Sequence, residues 1–321
     1  MDSRFTYFSL VAEELNMHRA AERAFISPQG ISAAIKALEN EYGVPLFIRS
    51  PRLALTTQGE MFLHTVRQIE VLENNLSTML TSGSGNHVGS ISLGILESRY
   101  EIVVPDIVYE FIHLYKNIGL EVKSAYSQDL ERDIDNNKLD MIIAPGGIES
   151  PNLESIHLID ENFVLLISDY MLHGYMRDIT PEKIHNFHKG IYLKDFVGIP
   201  LIRYPTYTRF YQAMKNYEES NKSHFTTAFV SNHALSYSRF VQHGIGMAIV
   251  SSLFLSRVHE QNMNCQQENY VHAFPILDLP YCKELNLFYR KDRYLTQCHR
   301  DLIELVKRCF EKQEEQALLY L

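Results

Sequence analysis

Residues 12–60 of the chain read AEELNMHRAAERAFISPQGISAAIKALENEYGVPLFIRSPRLALTTQGE. An alanine-rich helix is predicted over residues 19–24, and Ser27-Pro28 follows it closely. A serine hydroxyl accepts hydrogen bonds from the free N–H groups at a helix start, and proline loses no needed donor at the first helical position. A further helix is therefore predicted to begin at Pro28.

The residues on either side complete a three-helix unit. Another amphipathic helix is predicted before this stretch, from the helical spacing of Phe5, Phe8, Val11, Ala12 and Leu15. Two short helices joined by a tight turn, the second beginning with small polar residues, are typical of a helix-turn-helix that reads the major groove of DNA. The Gln29 amide can pair with adenine. An ordinary three-helix packing unit is the alternative that periodicity alone leaves open.

The same stretch resembles the N-terminal domain of LysR-type transcriptional regulators. The matching positions are Ala20-Ala21, Ser27, Ile31-Ser32, Ile35, Leu38-Glu39, Gly43-Val44-Pro45-Leu46-Phe47, Arg49, Leu55-Thr56 and Gly59. The resemblance implies an all-α winged helix-turn-helix domain over residues 1–58, whose wing brings arginines to phosphates or the minor groove. The predicted DNA-binding residues are Arg23, Ser27, Pro28, Gln29, Ser32, Lys36, Arg49 and Arg52.

Three departures from the family pattern predict an unusual operator preference. The family commonly has a hydroxyl residue at His18, an arginine or glutamine at Ala33, and the reverse order at Pro28-Gln29. Up to residue 66 the chain has six basic and seven acidic residues. Since DNA affinity comes largely from phosphate neutralisation, a single copy should bind weakly, and two copies on two half-sites are expected.

A long helix is predicted over residues 57–82, within a linker, dimerisation and hinge region at 59–87. Its apolar residues are spaced by threes and fours, as in a coiled-coil seam: Phe62, Val66, Ile69, Leu72, Leu76 and Met79. This seam predicts pairing with a second copy, whereas docking on the chain's own C-terminal domain is the alternative. The LysR resemblance implies a dimer and, at the next level, a tetramer. A glycine- and serine-rich hinge follows the helix at residues 81–86.

From residue 88 onward, predicted strands alternate with predicted helices, which indicates α/β architecture. The order is similar to the two-lobed effector domain of LysR-type regulators, itself similar to periplasmic solute-binding proteins. The positions that match this domain are Gly89 with Ser92-Leu93-Gly94, Leu139-Asp140 and Gly244-Ile245-Gly246. The resemblance implies an effector-binding domain over 88–321, with one lobe at about 88–161 and 273–321 and the other at about 162–272.

A small-molecule effector is expected in the cleft between the lobes, where helix N-termini meet the carboxyl ends of strands. The predicted effector-binding residues are Ser98, Arg99, Tyr100, Gly147, Arg203, Thr208 and Ser231. Arg99, Arg203 and Arg209 could meet a carboxylate or phosphate, so the expected effector is a small anion, with an aromatic one among the options. Solvated surface arginines and purely structural serine caps are the alternatives that the sequence leaves open.

Catalytic signatures are missing from the sequence. It contains no GxSxG elbow, phosphate-binding GxxxxGK[ST] loop, HExxH pair or GxGxxG fingerprint, so neither an enzyme nor a cofactor is expected. The close spacing of His185 and His188 is more typical of surface histidines than of a metal site, and no metal is expected. Cys265 and Cys282 do not form the paired pattern of peroxide-responsive family members.

The net charge of −9 excludes a protein that grips nucleic acid with its whole surface, so DNA contact must be local. With no long apolar run and no signal-like start, a cytoplasmic location away from membranes is expected. The sequence thus predicts a regulator that binds promoter double-stranded DNA and a small molecule. A two-lobed solute-binding protein or enzyme, with a helical N-terminus that does not bind DNA, is the alternative.

Overall fold

The structure, a computed structural model, describes residues 2–81, 89–148, 150–263, 265–281 and 284–320. Within the helix over 57–81, the side chains of residues 71, 74, 75 and 77–81 are outside the description. The predicted hinge from residue 82 and Cys282 also lie outside the described residues. The predicted seam residue Met79 falls on the helix, with its side chain outside the description.

The N-terminal domain packs three helices against a small hairpin. The elements are α1 (Ser3–Glu14), α2 (Met17–Arg23), α3 (Pro28–Tyr42), β1 (Phe47–Ile48) and β2 (Ala54–Leu55). The strands β1 and β2 pair antiparallel and form the wing. The core contains Phe8 and Val11 from α1 and Ile31, Ile35 and Leu38 from α3, all fully buried. The predicted start of α3 at Pro28 is confirmed.

The helix α4 (Thr57–Thr81) completes this core before it leaves the domain. The Phe62 ring packs edge-on against Phe5, Phe8 and Tyr42, at centroid distances of 5.5, 4.9 and 5.0 Å. Val66 is 1% exposed. Val66 is therefore buried within the chain and Phe62 is half-buried against the N-terminal core, so this first part of the predicted seam is largely covered without a second copy.

The first lobe is built on a five-stranded sheet in the order β4-β3-β5-β12-β6. β3, β4 and β5 are parallel, whereas β12 runs antiparallel to its two neighbours. The strands are β3 (Gly89–Leu96), β4 (Ile118–Ala125), β5 (Met141–Pro145), β6 (Leu153–Asp160) and β12 (Glu284–Arg290), and the helices are α5 (Glu97–Leu114), α6 (Ser127–Asp135) and α12 (Gln297–Leu318).

The second lobe has a five-stranded sheet in the order β11-β7-β10-β8-β9. Its strands are β7 (Phe163–Ser168), β8 (Leu201–Arg203), β9 (Thr227–Val230), β10 (Met247–Ser251) and β11 (Val271–Pro275). Its helices are α7 (Asp169–Tyr175), α8 (Pro181–Phe187), α9 (Arg209–Ser220), α10 (Tyr237–Gln242) and α11 (Leu255–Asn262), with short 3-10 turns at Leu193–Phe196, Ala234–Ser236, Ser252–Phe254 and Gln267–Asn269.

The two-lobed α/β architecture is thus as predicted, and the second sheet extends two residues beyond the approximate boundary given for the second lobe. β11 pairs with β7 in the second sheet up to Pro275. The return to the first lobe was predicted at about residue 273, and it comes after residue 275. The chain therefore crosses between the lobes at residues 161–162 and again between β11 and β12.

Candidate functional sites

The start of α3 has the geometry of a reader helix. The Ser27 hydroxyl accepts a hydrogen bond from the Gly30 N–H at 3.1 Å, and proline fills the first helical position. Gln29 and Lys36 are exposed, while Ser32 is half-buried. The capping prediction is confirmed, and the exposed polar side chains stand on the outer face of the helix.

The cap of α2 was not predicted. It is Asn16, which lies two residues before the position 18 at which the family commonly has a hydroxyl residue. The Asn16 side-chain oxygen accepts from the N–H groups of His18 and Arg19 at 2.9 and 3.2 Å. Asparagine just before an alanine-rich helix is a strong signal for an N-cap, so this residue was open to prediction.

The predicted DNA-binding arginines differ in what they already contact. Arg23 is paired with Glu13 and Glu14 of α1, at 3.0 and 2.8 Å. Arg49 is paired with Glu39 at 2.9 Å. Arg52 is exposed at the tip of the wing and has no ion pair with a described residue. Arg52 therefore presents the most available charge of the three.

A cavity of about 150 Å³ lies between the two lobes. Three helix starts contribute to it: Ser98 and Arg99 from α5, Ser127 from α6, and Thr208 next to α9. Ser98, Arg99 and Thr208 are the predicted effector-binding residues that the structure brings together here. Thr208 is also the cap of α9, because its hydroxyl oxygen accepts from the Tyr211 N–H at 3.2 Å.

Arg203 lies elsewhere. It is 8% exposed and bonds inside the second lobe to the Thr227 hydroxyl at 3.0 Å and the Phe225 carbonyl at 2.8 Å. Its guanidinium is also paired with Glu218 at 2.5 Å. The expectation that Arg203 meets an effector is wrong for this structure, since the strand β8 directs its side chain into the lobe rather than the cleft.

Three further predicted residues do not line the cavity. Tyr100 packs against the core of the first lobe, because it follows Arg99 around the helix to the sheet side. Gly147 is exposed, with a positive φ of 82° that marks a turn after β5. The Ser231 hydroxyl accepts from the His233 N–H at 3.1 Å, a bond within the turn that precedes the 3-10 helix, and it does not cap that helix.

Arg99 does line the cavity, but its charge is already compensated. Its Nε donates to Glu161 Oε1 at 2.7 Å, and its other nitrogens contact Glu161 Oε2 and the Ser98 hydroxyl. The Ser251 hydroxyl donates to the same carboxylate at 3.3 Å. Burial alone would lower the pKa of Arg99, yet the Glu161 carboxylate raises that pKa above its usual value. This pair removes the main basis for the expectation of an anionic effector.

Two contacts close the mouth of the cleft. Arg209 of the second lobe pairs with Glu131 of α6 at 2.5 Å. The Tyr207 hydroxyl donates to the Tyr126 hydroxyl at 3.2 Å, and the two rings meet edge-on at a centroid distance of 5.1 Å. Each contact joins one lobe to the other across the mouth of the cleft.

The wall of the cavity is aromatic, which the sequence analysis did not predict. Phe163, Phe210 and Tyr281 form a triangle with centroid distances of 5.2 to 5.4 Å. Tyr204 adds a fourth ring, 4.9 Å from Phe210. The rings come from three segments that are far apart in the sequence. Of the four, only Tyr204 lies between two predicted effector-binding residues, Arg203 and Thr208.

The far end of α6 contacts the helix that leads to the DNA-binding domain. Arg67 of α4 is 9% exposed, and its Nη1 donates to the Asn136 side-chain oxygen at 2.7 Å, just beyond α6. Asp133, near the end of α6, adds an attractive charge interaction with Arg67. The described part of α4 thus contacts its own C-terminal domain through Arg67, as the alternative to pairing with a second copy would require. One helix thus has its first turn at the cavity and its last turn beside α4.

Both halves of the chain match models of a single protein family. Residues 3–60 match the bacterial regulatory helix-turn-helix protein model of the lysR family, and residues 84–310 match the LysR substrate binding domain. The chain belongs to the LysR family. It is a DNA-binding transcription regulator with a substrate-binding domain, as the resemblance implied.

Individual relatives of this LysR-family regulator are distant. The uncharacterised regulator YkuM of Bacillus subtilis is 20% identical over 84% of this chain and 83% of its own length. The Hca operon transcriptional activator HcaR of Escherichia coli is 29% identical, over 56% of this chain and 60% of its own length. The structure of a full-length OxyR variant from Pseudomonas aeruginosa superposes with a TM-score of 0.69 at 16% identity, covering 96% of this chain and 94% of that one.

Metal-ligating side chains of this LysR-family regulator are dispersed. In the described ranges, no three His, Cys, Asp or Glu residues are grouped so that they could hold a metal ion. His188, of the closely spaced histidine pair, packs its ring on Phe274 at 5.0 Å. Within the same ranges, no helix is both long enough and apolar enough to cross a membrane.

Proposed function

We propose that this LysR-family regulator binds promoter DNA as a dimer and that a small molecule held between its lobes modulates that binding. The observation that carries the proposal is the cavity between the lobes, lined at the starts of α5, α6 and α9. A molecule that enters must lie against both lobes, because Tyr126 and Glu131 bridge to Tyr207 and Arg209 across its mouth. Occupancy and the closure of the lobes are therefore linked.

The DNA-binding surface proposed here consists of the outer face of α3 and the wing. Gln29 and Lys36 supply the exposed polar groups of the helix, and Arg52 supplies the charge of the wing. Arg23 and Arg49 join them by exchanging carboxylate partners for phosphates. We propose a regulatory role without catalysis, carried out in the cytoplasm, where promoter DNA is available.

Arg52→Ala tests the DNA half of the proposal. On a fragment from upstream of its own gene, we expect uniformly weaker binding and a salt dependence reduced by about one phosphate contact. Fluorescence anisotropy at several salt concentrations measures both. Arg177→Ala is the matched control, because Arg177 is an exposed arginine of the second lobe and has no ion pair with a described residue. Equal affinities for the wild type and Arg52→Ala, or no protected region in a footprint, would contradict the proposal.

Dimer formation is proposed to use the part of α4 beyond the domain core. Leu72 and Leu76 are 62% and 56% exposed, as is expected of an interface that lacks its partner, and Ile69 is half-buried beside them. The double variant Leu72→Asp/Leu76→Asp should sediment as a smaller species and bind DNA more weakly. Met61→Asp is the control, since Met61 is 67% exposed on the same helix but outside the seam. A double variant that sediments with the same oligomer mass as the wild type would refute pairing through α4. Any dimer or tetramer would then have to form through another surface.

A further inference from the structure

The charges that line the cavity are already balanced. Apart from tyrosines, the ionisable side chains of the described lining are Glu97, Arg99, Asp129 and Arg209. Arg99 is paired with Glu161, and Arg209 is paired with a glutamate of α6. A carboxylate ligand would therefore meet two acidic side chains and no cation without a partner. A carboxylate that reached Arg99 would have to share the guanidinium with Glu161, so two negative charges would compete for one buried cation.

The size and the wall of the cavity suit one aromatic ring. Its volume is about 150 Å³, which is roughly the size of a cavity that holds benzene, and its lining combines aromatic rings with polar groups such as Gln128 and Asn232. Phe163, Tyr204, Phe210 and Tyr281 present ring faces and edges on the second-lobe side and at the crossover. Aromatic rings pack favourably against one another in offset or edge-on geometry. The wall therefore favours a flat, unsaturated ligand over an extended aliphatic one.

The helix starts supply hydrogen-bond donors of moderate strength. Leu96 and Tyr126 occupy the N-cap positions of α5 and α6, and neither side chain caps its helix in the described structure. The first N–H groups of these helices can therefore donate to a ligand. Glu97 and Asp129 already lie in the same first turns and offset the helix dipoles. A neutral acceptor, such as a carbonyl or hydroxyl oxygen, fits these donors better than a full negative charge.

We infer that the cavity takes an uncharged single-ring aromatic molecule with a hydrogen-bond acceptor, and that Glu161 sets this preference by neutralising Arg99. The inference rests on the proposed function, in which the cavity is the effector site. Glu161 acts through Arg99 and is a specificity-determining residue at the crossover between the lobes. The Ser251 hydroxyl of the second sheet also donates to the Glu161 carboxylate and helps to hold it beside Arg99.

Three probes of nearly equal shape test the ligand class: benzamide, benzoate and benzamidinium. A ligand that binds only the folded state raises the melting temperature by mass action. With the full-length chain, we expect benzamide to bind at least ten times more tightly than either charged probe. Equal or tighter binding of benzoate or benzamidinium would overturn the inference, and so would no shift from any probe. The promoter-binding assay on Arg52→Ala stands apart from these results, so failure here leaves the DNA-binding proposal intact.

Glu161→Gln tests the role of the carboxylate. The substitution leaves Arg99 with an uncompensated charge, so the preference should reverse in favour of benzoate. Glu260→Gln is the matched control, since Glu260 is exposed on α11, and it should keep the wild-type order. A Glu161→Gln protein that still prefers benzamide would overturn the role of Glu161.

A variant that loses both charges covers the case in which Glu161→Gln does not fold. Arg99→Met/Glu161→Met has neither the cation nor its counterion. It should retain the preference for benzamide and gain no affinity for benzoate. If this double variant gained affinity for benzoate, that affinity could not come from an uncompensated Arg99, and the inference would be overturned.

Discussion

The DNA-binding domain and the effector domain place their charges in opposite ways. Every buried side chain described in residues 2–58 is apolar, and the charged groups of this domain are at its surface. The effector domain buries Arg99, Glu161, Arg203, Asp140 and Arg290. The first domain keeps its charge in water, where DNA phosphates can reach it. The second uses charge internally, to hold its strands and lobes together around the cavity.

This difference predicts that equivalent substitutions have unequal consequences. An exposed ion pair contributes roughly 0–1 kcal/mol, because water and salt screen it. Removing one partner of a buried pair costs about 3–5 kcal/mol, because the other charge loses both water and counterion. Substitutions in the effector domain should therefore change stability, whereas those on the DNA-binding domain should change affinity.

Arg99→Met should have the largest effect. It leaves Glu161, 4% exposed, without its counterion, and we expect a loss of about 3–5 kcal/mol in the free energy of unfolding. Arg308→Met is the control, because its pair with Glu110 has side chains 64% and 47% exposed, and it should cost under about 1 kcal/mol. Urea unfolding followed by far-UV circular dichroism measures both. Similar losses in the two variants would remove the proposed contrast.

Acid should weaken the effector domain through His299, the next largest effect. His299 is 7% exposed, with its Nδ1 2.6 Å from the Thr296 hydroxyl. Burial, aided by the charge of Arg293, lowers the pKa of His299 from 6.5 to about 4. Between these values the unfolded chain binds a proton that the folded chain does not, so stability falls as the pH falls. The full loss is about 3 kcal/mol.

His299→Gln should flatten this part of the pH profile. Unfolding free energies measured from neutral pH down to the lower pKa should fall less in the variant than in the wild type. His157→Gln is the control, since His157 has a 56% exposed side chain and should leave the profile unchanged. An identical pH dependence in His299→Gln and the wild type would show that His299 is not the responsible group.

Glu13→Gln/Glu14→Gln should have the smallest effect, and it should increase DNA affinity. The substitutions free Arg23, whose exposed pairs with these glutamates compete with phosphate. A gain of about two- to five-fold in affinity is expected from anisotropy measurements on the promoter fragment. Glu22→Gln/Glu60→Gln changes the net charge of the same region equally. Equal gains in both double variants would assign the effect to net charge rather than to Arg23.

The DNA-binding domain was predictable because its signals are local. Ser27 and Pro28 mark the start of α3 within two positions, and the apolar face of α1 repeats within a few turns. The seam of α4 was less informative, since helical spacing shows that a face is apolar but not what covers it. Phe62 satisfies the spacing rule of a coiled coil and yet packs on Phe5 and Phe8 of its own domain.

The cavity was only partly predictable because its contacts are distant in sequence. The sequence placed Ser98, Arg99 and Thr208 at ligand positions from the punctuation of strands and helices. It could not show that Glu161, sixty-two residues further along, neutralises Arg99. The aromatic wall likewise forms only when both crossovers are folded. Charge availability, rather than charge, decides the ligand, and availability is a property of the tertiary structure.

The position of α6 between the cavity and α4 suggests how the coupling between the two binding sites can be measured. The first turn of α6 forms part of the cavity, and the residue just beyond its last turn binds Arg67 of the helix that bears the DNA-binding domain. One helix of nine residues thus lies between the cavity and the helix that bears the DNA-binding domain. Coupling free energy is reciprocal, so promoter DNA must alter the dissociation constant of the small molecule by the same factor as the molecule alters that of DNA. Calorimetric titration of the aromatic probe, with and without operator DNA, therefore measures the coupling free energy between the two sites through the binding of the small molecule.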